Sequence, residues 1–112
     1  MKKYILEHYN TTADHPWKEY PRYEVFRHSS NQKWFALIMD VPGEKLGLSE
    51  SNRVDIVNLK CDPVLIASLC RDPGFFPAYH MNKANWISIR LGECVPDTQI
   101  KLLLEMSFHM TA

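Results

Sequence analysis

The chain has 112 residues, the usual size of one domain, and can bury roughly two-thirds of its unfolded surface without a disulfide or a metal. Its composition, 46% hydrophobic and 23% charged, excludes a disordered chain, and we expect residues 1–112 to form a single domain. The 13 Lys and Arg residues balance 13 Asp and Glu residues; this zero net charge argues against strong non-specific nucleic-acid binding but leaves a local basic patch open.

The first sixty residues predict one helix followed by an antiparallel meander. Residues 2–9 have the apolar spacing of a short helix, whereas residues 10–20 are rich in turn formers and predict a loop, with Trp17 and Tyr20 closing the edge of the core. Three runs predict strands because they alternate or are continuously apolar: residues 23–28, 34–39 and 54–60. Residues 40–53 are expected to form a long polar loop with one helical turn near residues 44–46.

The second half of the chain predicts two helices and two further strands. Asp62-Pro63 is a typical helix start, because Asp caps free amides and Pro fits the first turn, and this helix is expected to end near Arg71. Residues 75–79 predict a brief strand and residues 85–91 a longer one. Alternation in the longer strand points three side chains inward, Ile87, Ile89 and Leu91, and three outward, Trp86, Ser88 and Arg90. A last helix starts at Pro96-Asp97 and has a buried stripe: Ile100, Leu103, Leu104 and Phe108.

These elements predict an α+β fold with the order α-β-β-β-α-(β)-β-α. An antiparallel sheet and a layer of helices form a two-layer structure, with the helices on one face of the sheet. The other face and the long loops are left for function.

The cysteines and the apolar runs indicate the compartment. Cys61, Cys70 and Cys94 are odd in number and fit no zinc spacing, so we expect buried, reduced thiols in a reducing cytoplasm. The N-terminal apolar run reaches Glu7 too soon for a signal peptide, and residues 34–39 fall far short of the roughly 20 residues of a membrane span. We therefore expect a cytoplasmic protein that does not cross a membrane.

Four strings resemble the MmcQ/YjbR family: residues 25–28 (VFRH), 33–38 (KWFALI), 58–63 (NLKCDP) and 77–83 (PAYHMNK). Trp86 and the helix start at residues 95–97 also fit, so the resemblance covers about residues 17–110. It implies a two-layer α/β fold that is often compared with the frataxin-like protein CyaY and with type III secretion chaperones. It also implies a proposed double-wing mode of DNA binding. Family members often have a longer first helix than residues 2–9 allow, and the loop at residues 40–53 is extended relative to shorter members.

Charge is sorted along the sequence. Residues 22–34 hold three basic side chains and one acidic one, and residues 75–91 hold two basic and no acidic ones, a balance of +2 in each; residues 40–55 hold four acidic and two basic ones, a balance of −2. Lys and Arg can neutralise phosphates, and interleaved aromatic rings can stack on bases. The alternative is a solvated mixed surface with Trp34 in the core. The candidate nucleic-acid or anion-binding residues are Arg27, His28, Lys33, Asn58, Lys60, His80, Asn82, Lys83, Trp86 and Arg90.

The string at residues 80–83, His-Met-Asn-Lys, is the sharpest local feature. An imidazole, an amide and an ammonium in one loop could hold an anion. The alternative is a tight turn whose side chains satisfy neighbouring backbone groups. Asn58 and Lys60, at the end of a predicted strand, are expected to approach this loop.

Catalysis and metal binding have little support. The histidines show no ligand spacing, the first helix offers only Glu7 for an acidic iron site, and no GxSxG, P-loop or dinucleotide motif occurs. A pairing of the Cys61 thiol with the His80 imidazole is weak, because a small residue at a strand-to-helix junction favours packing. Met106 and Met110 are expected to pack internally. We therefore expect a monomeric binding module that is not an enzyme and has no cofactor and no metal. Its expected partner is DNA; the alternatives are a protein-interaction module and a small-anion binder.

Overall fold

The computed structural model describes residues 1–49 and 52–112. Within these ranges the chain forms six antiparallel strands and three α-helices, which confirms the predicted α+β class. The strands are β1 (Ala13–Asp14), β2 (Glu24–Arg27), β3 (Trp34–Pro42), β4 (Arg53–Lys60), β5 (Phe75–Pro77) and β6 (Trp86–Arg90). The helices are α1 (Lys2–His8), α2 (Pro63–Leu69) and α3 (Asp97–Thr111), with a short 3-10 helix at Gly43–Leu46. No helix in the described ranges is long and apolar enough to span a membrane.

The sheet has the spatial order β1-β2-β3-β4-β6-β5. The predicted meander is confirmed as β2-β3-β4, and the continuously apolar run lies in β3, which has a neighbour on each side. Two expectations were wrong. Residues 10–20 are not wholly a loop, because β1 pairs with β2. Residues 40–42 continue β3, because Asp40, Val41 and Pro42 pair with the start of β4. The helical turn predicted near residues 44–46 is confirmed, whereas residues 50 and 51 of the predicted loop lie outside the described residues.

The three helices pack on one face of the sheet, as predicted. Strand side chains of that face and helix side chains such as Ile5 and Leu104 form one buried cluster. α2 begins as its sequence predicts, since the Asp62 Oδ1 atom accepts a hydrogen bond of 2.9 Å from the Val64 amide. α3 is tied to two strands by the Ser107 hydroxyl, which donates to the Phe35 carbonyl at 2.6 Å and accepts from the Lys60 amide at 2.9 Å.

The opposite face, here called the helix-free face, is covered by loops. Trp86 and Ser88 point towards it, as alternation predicted, but they are 8% and 0% exposed, so the expectation that they face solvent was wrong. Trp86 packs in a cluster with Ala78 and with the partly buried Trp17 and Met81 from loop segments. Alternation along a strand gives the face of a side chain but does not reveal what covers that face.

A buried polar network fastens the loop after β5 to the helix-free face. Asn58 and Ser88 lie directly opposite each other on β4 and β6, and the Ser88 hydroxyl donates to Asn58 Oδ1 at 2.5 Å. The Tyr79 amide donates to Ser88 Oγ at 2.9 Å, and Asn58 Nδ2 donates to the Tyr79 carbonyl at 2.8 Å. Both backbone polar groups of Tyr79 are therefore satisfied by buried side chains, which sets the position of residues 78–84.

The three cysteines differ in exposure, which corrects the expectation that all are buried. Cys61 is buried, Cys70 is half-buried and Cys94 is exposed in the segment before α3. Burial raises the pKa of the Cys61 and Cys70 thiols above the ordinary value. Cys61 and Cys70 are therefore held in the unreactive thiol form more strongly than a solvated cysteine would be.

Removing the Ser88 hydroxyl should destabilise the fold. Ser88→Ala deprives Asn58 Oδ1 of its donor and the Tyr79 amide of its acceptor, so we expect the free energy of unfolding to fall by about 1–3 kcal/mol in urea denaturation. Ser68→Ala, at an exposed position of α2, is the matched control and should change it by less than about 0.5 kcal/mol. Equal urea midpoints for the two variants would contradict the network.

Alkylation should distinguish the three thiols. With iodoacetamide at mildly alkaline pH, Cys94 should react first and Cys61 last, because exposure and thiolate content control the rate. Intact-mass spectrometry should show one fast adduct, which Cys94→Ser removes. Raising the pH should speed the slow reactions, since their thiols have raised pKa values. Labelling of Cys61 as fast as that of Cys94 would contradict the burial of Cys61 in the helix-side core.

Candidate nucleic-acid interface

Two cation–π pairs lie side by side at one end of the sheet. Arg27 is opposite Trp34, with its guanidinium carbon 5.5 Å from the ring centroid. Lys60 is opposite Trp86, with Nζ 5.7 Å from the ring centroid. The β3–β4 register, in which Ala36 pairs with Leu59, brings the two pairs next to each other. Each ring supports the stem of a cation and keeps its charge at the surface.

Two further lysines extend this positive surface. Lys33 is exposed in the β2–β3 turn. Lys83 is also exposed, and its Nζ donates to the Ala78 carbonyl at 2.8 Å; since Ala78 packs with Trp86, Lys83 lies on the same side of the sheet as Lys60. We call the four residues Arg27, Lys33, Lys60 and Lys83 the basic rim. Asp14 forms an ion pair of 2.7 Å with Arg27, so the three lysines contribute most of its positive charge.

Burial removes three sequence candidates from direct contact with a ligand. His28 is 5% exposed; its Nε2 atom lies 2.7 Å from Thr111 Oγ1, and its ring centroid lies 4.2 Å from that of Phe108 in a tilted contact, so its role is to dock the end of α3. Asn58 is fully buried and holds Tyr79. Trp86 lies beneath Lys60 and is too buried to stack on a base.

Arg90 lies away from the basic rim. It is in register with Ile56 on the helix-free face, further along β6, and its guanidinium is 3.5 Å from the Glu93 carboxylate. This ion pair and its position separate it from the other candidates.

The loop at residues 80–83 contains a structural turn. Asn82 Oδ1 accepts a hydrogen bond of 2.9 Å from the Ala84 amide, and Lys83 Nζ bonds the Ala78 carbonyl. These contacts favour the turn interpretation over a preformed anion site. His80 is exposed with φ of 61°, a left-handed conformation that His adopts more readily than most residues, and its ring lies 4.1 Å from that of Tyr79. Cys61 packs in the helix-side core, so a Cys61–His80 pair does not form.

A cavity that the sequence did not reveal opens on the helix-free face beside the basic rim. It has a volume of about 270 Å³. We call it the aromatic cup; its lining residues are Trp17, Tyr20, Tyr23, Leu37, Met39, His80 and Met81. They come from three separate chain segments. The one available sequence signal was the recurrence of an aromatic residue every third position, at 17, 20 and 23.

Asp40 lies at the other end of the sheet, paired with two arginines. β3 ends next to the start of β4, where the Arg53 Nε atom is 2.8 Å from Asp40 Oδ2 and Arg22 Nη1 is 3.6 Å from the same oxygen. The hydrogen bond to Asp40 raises the pKa of Arg53. Two arginines thus neutralise Asp40, and Glu50 of the predicted acidic segment lies outside the described residues, so the charge sorting stays a prediction.

Two further surfaces bear on the alternatives. In residues 1–49 and 52–112, no three His, Cys, Asp or Glu side chains cluster as metal ligands would. The outer side of α3 carries a stripe of exposed apolar side chains, Leu102, Met106 and Met110. The expectation that Met106 and Met110 pack internally was wrong, because α3 buries its other side against the sheet.

Two known proteins are similar to this chain in sequence. The chain is 47% identical over 109 residues to the uncharacterized protein YyaQ of Bacillus subtilis, covering 97% of this chain and 92% of that protein. It is 37% identical over 65 residues to the uncharacterized protein YbdF of Escherichia coli O157:H7, covering 55% of this chain and 52% of YbdF.

Solved structures of other proteins have the same fold as this chain. The crystal structure of a Pseudomonas syringae protein from the Northeast Structural Genomics Consortium superposes with a TM-score of 0.96 at 47% identity, covering 98% of this chain and 94% of that one. The Deinococcus radiodurans protein DR2400 superposes with a TM-score of 0.64 at 22% identity, covering 89% and 67%, which supports the fold alone. The YjbR family model matches residues 6–110. From this match and the fold, we conclude that the chain belongs to the YjbR family.

Proposed function

We propose that the protein binds DNA through the basic rim. The observation that carries this proposal is the pair of adjacent cation–π contacts, Arg27 over Trp34 and Lys60 over Trp86, flanked by two exposed lysines. Backbone phosphates are the natural ligands of such a row, because Lys and Arg release condensed counterions when they neutralise them. The double-wing mode that the family resemblance implied would use the β2–β3 turn and residues 78–84 as its two wings.

The zero net charge limits how strong this binding can be. Only about three unpaired cations form the basic rim, so we expect modest affinity that falls steeply with salt. Binding of this kind needs no catalytic group, cofactor or metal. Such a protein would act in the cytoplasm, where the exposed Cys94 would stay reduced.

The alternatives have weaker support. A small-anion site at residues 80–83 has weaker support, because Asn82 Oδ1 accepts from the Ala84 amide and Lys83 Nζ donates to the Ala78 carbonyl, contacts that hold the loop as a turn. A protein-interaction module needs an exposed apolar patch, and α3 offers one in Leu102, Met106 and Met110. Three side chains on one helix cover far less than the roughly 800 Å² that each partner buries in a stable interface.

Neutralising basic-rim lysines should weaken DNA binding and its salt dependence. Fluorescence anisotropy with labelled duplex and single-stranded DNA, from about 50 to 200 mM salt, should show saturable binding by the wild-type protein. Lys60→Gln and Lys83→Gln should each lower the slope of log affinity against log salt by roughly 0.7–0.9, as expected for one lost phosphate contact.

Lys3→Gln is the matched control, because Lys3 is exposed on α1, on the other side of the sheet. It removes the same charge and should leave the slope unchanged. If wild-type protein does not bind at the lowest salt, or if all three variants weaken binding equally, the basic rim is not a DNA site.

A further inference from the structure

The lining of the aromatic cup defines what it can hold. Tyr20 and Tyr23 stack with their ring centroids 4.6 Å apart and an interplanar angle of 8°, and Trp17 meets Tyr23 edge-on at 6.1 Å. Leu37, Met39 and Met81 complete the wall, and none of the lining residues carries a carboxylate, an ammonium or a guanidinium group. Burial raises the pKa of Tyr23, so its ring stays uncharged. An uncharged, aromatic and thioether-rich wall favours a flat, polarisable ring over a free anion.

The size of the cup and the hydrogen-bonding groups of its lining further restrict the class of ligand that it can hold. Pockets for drug-sized molecules measure roughly 300–1,000 Å³. At about 270 Å³ the cup has room for one planar ring system with little beyond it. The exposed imidazole of His80 and the hydroxyl of the exposed Tyr20 are hydrogen-bonding groups in the lining, and they can pair with the edge of a ring that carries its own donors and acceptors.

The cup is continuous with the basic rim. Trp17, which lines the cup, packs against Trp34 with ring centroids 5.7 Å apart, and Trp34 carries the Arg27 guanidinium on its face. Met81, also in the lining, belongs to the same cluster as Trp86, which lies beneath Lys60. A strand whose phosphates follow the basic rim would therefore pass the opening of the cup.

We propose that the aromatic cup binds one unpaired heteroaromatic ring of the nucleobase class, with phosphates outside at the basic rim. The ring can belong to a free nucleoside or to a base of a single strand; the second source rests on the proposed DNA binding and the first does not. A base within a duplex is paired and stacked and cannot enter, so single-stranded DNA binds more tightly than duplex of the same sequence. Stacking on aromatic side chains contributes roughly 5- to 150-fold in affinity for each base.

Methyl NMR of methionine tests the cup without DNA. In protein labelled at the methionine methyls, titration with adenosine should shift Met39 and Met81, which line the cup, through the ring current of the bound base. Met106 and Met110, exposed on the outer side of α3, should not move and serve as internal controls. No shift up to the solubility limit of adenosine, or equal shifts of all four methyls, would overturn the proposal.

Two variants assign the effect to the cup. Met81→Trp should fill it and weaken adenosine binding at least about tenfold, whereas Met106→Trp adds the same ring to an exposed position and should leave binding unchanged. Tyr20→Ala removes a ring at the opening that is 46% exposed, so the fold is retained, and should weaken binding severalfold. Wild-type affinity in both Met81→Trp and Tyr20→Ala would place the ligand elsewhere.

Oligonucleotide binding distinguishes DNA binding at the basic rim from base binding in the aromatic cup. A single strand should bind about 5- to 150-fold more tightly than an abasic strand of the same length. Lys60→Gln should weaken binding of the strand but not binding of adenosine. Adenosine shifts without any DNA binding would leave the cup standing and remove the DNA function. Equal affinity for normal and abasic strands would retain the basic rim and refute a base in the cup.

Discussion

The arrangement of the helix-free face depends on one buried polar network, in which Asn58 and Ser88 hold the backbone of Tyr79. Both side chains lie in the middle of the sheet, where an unsatisfied polar group is costly, and each finds its partners in the other and in this loop. The network fixes residues 78–84 above the strands. Those residues supply Lys83 to the basic rim and His80 and Met81 to the aromatic cup.

The two faces of the sheet have different roles. On the helix side, apolar packing dominates, and a few polar contacts connect α3 to the strands. Ser107 hydrogen-bonds the backbone of both β3 and β4, and the His28 ring contacts the Thr111 hydroxyl at the end of α3. On the helix-free side, loops cover the strands incompletely and leave cations supported by tryptophan rings beside an open cavity. The helix side therefore holds the larger apolar cluster, whereas the helix-free side combines two smaller buried clusters with an open binding surface.

Local patterns were enough to predict most of the fold. The apolar run of β3, the Asp62 cap of α2 and the helical spacing of α3 are all local signals, and each is present in the structure. β1 was missed because two paired residues leave no periodic pattern.

Long-range contacts explain what the sequence could not predict about the site. The sequence made His28 a candidate for contact with nucleic acid or an anion. In the structure the end of α3 covers it, through a contact with Thr111 that is eighty-three residues away along the chain. Trp86 was placed on the correct face, yet loop residues bury it. The cup is assembled from three segments whose proximity no local pattern encodes. By contrast, Asn58 was expected to approach the loop at residues 80–83 because it lies near a strand end, and it bonds the Tyr79 carbonyl directly before that loop.

Hydrogen exchange with and without single-stranded DNA tests most directly whether the helix-free face is the binding face. We predict slower exchange at residues 27–34 and 78–84, which hold the basic rim and part of the cup, with no change in α2 or α3. Protection confined to the helices, or no protection at DNA concentrations that saturate anisotropy, would contradict the account.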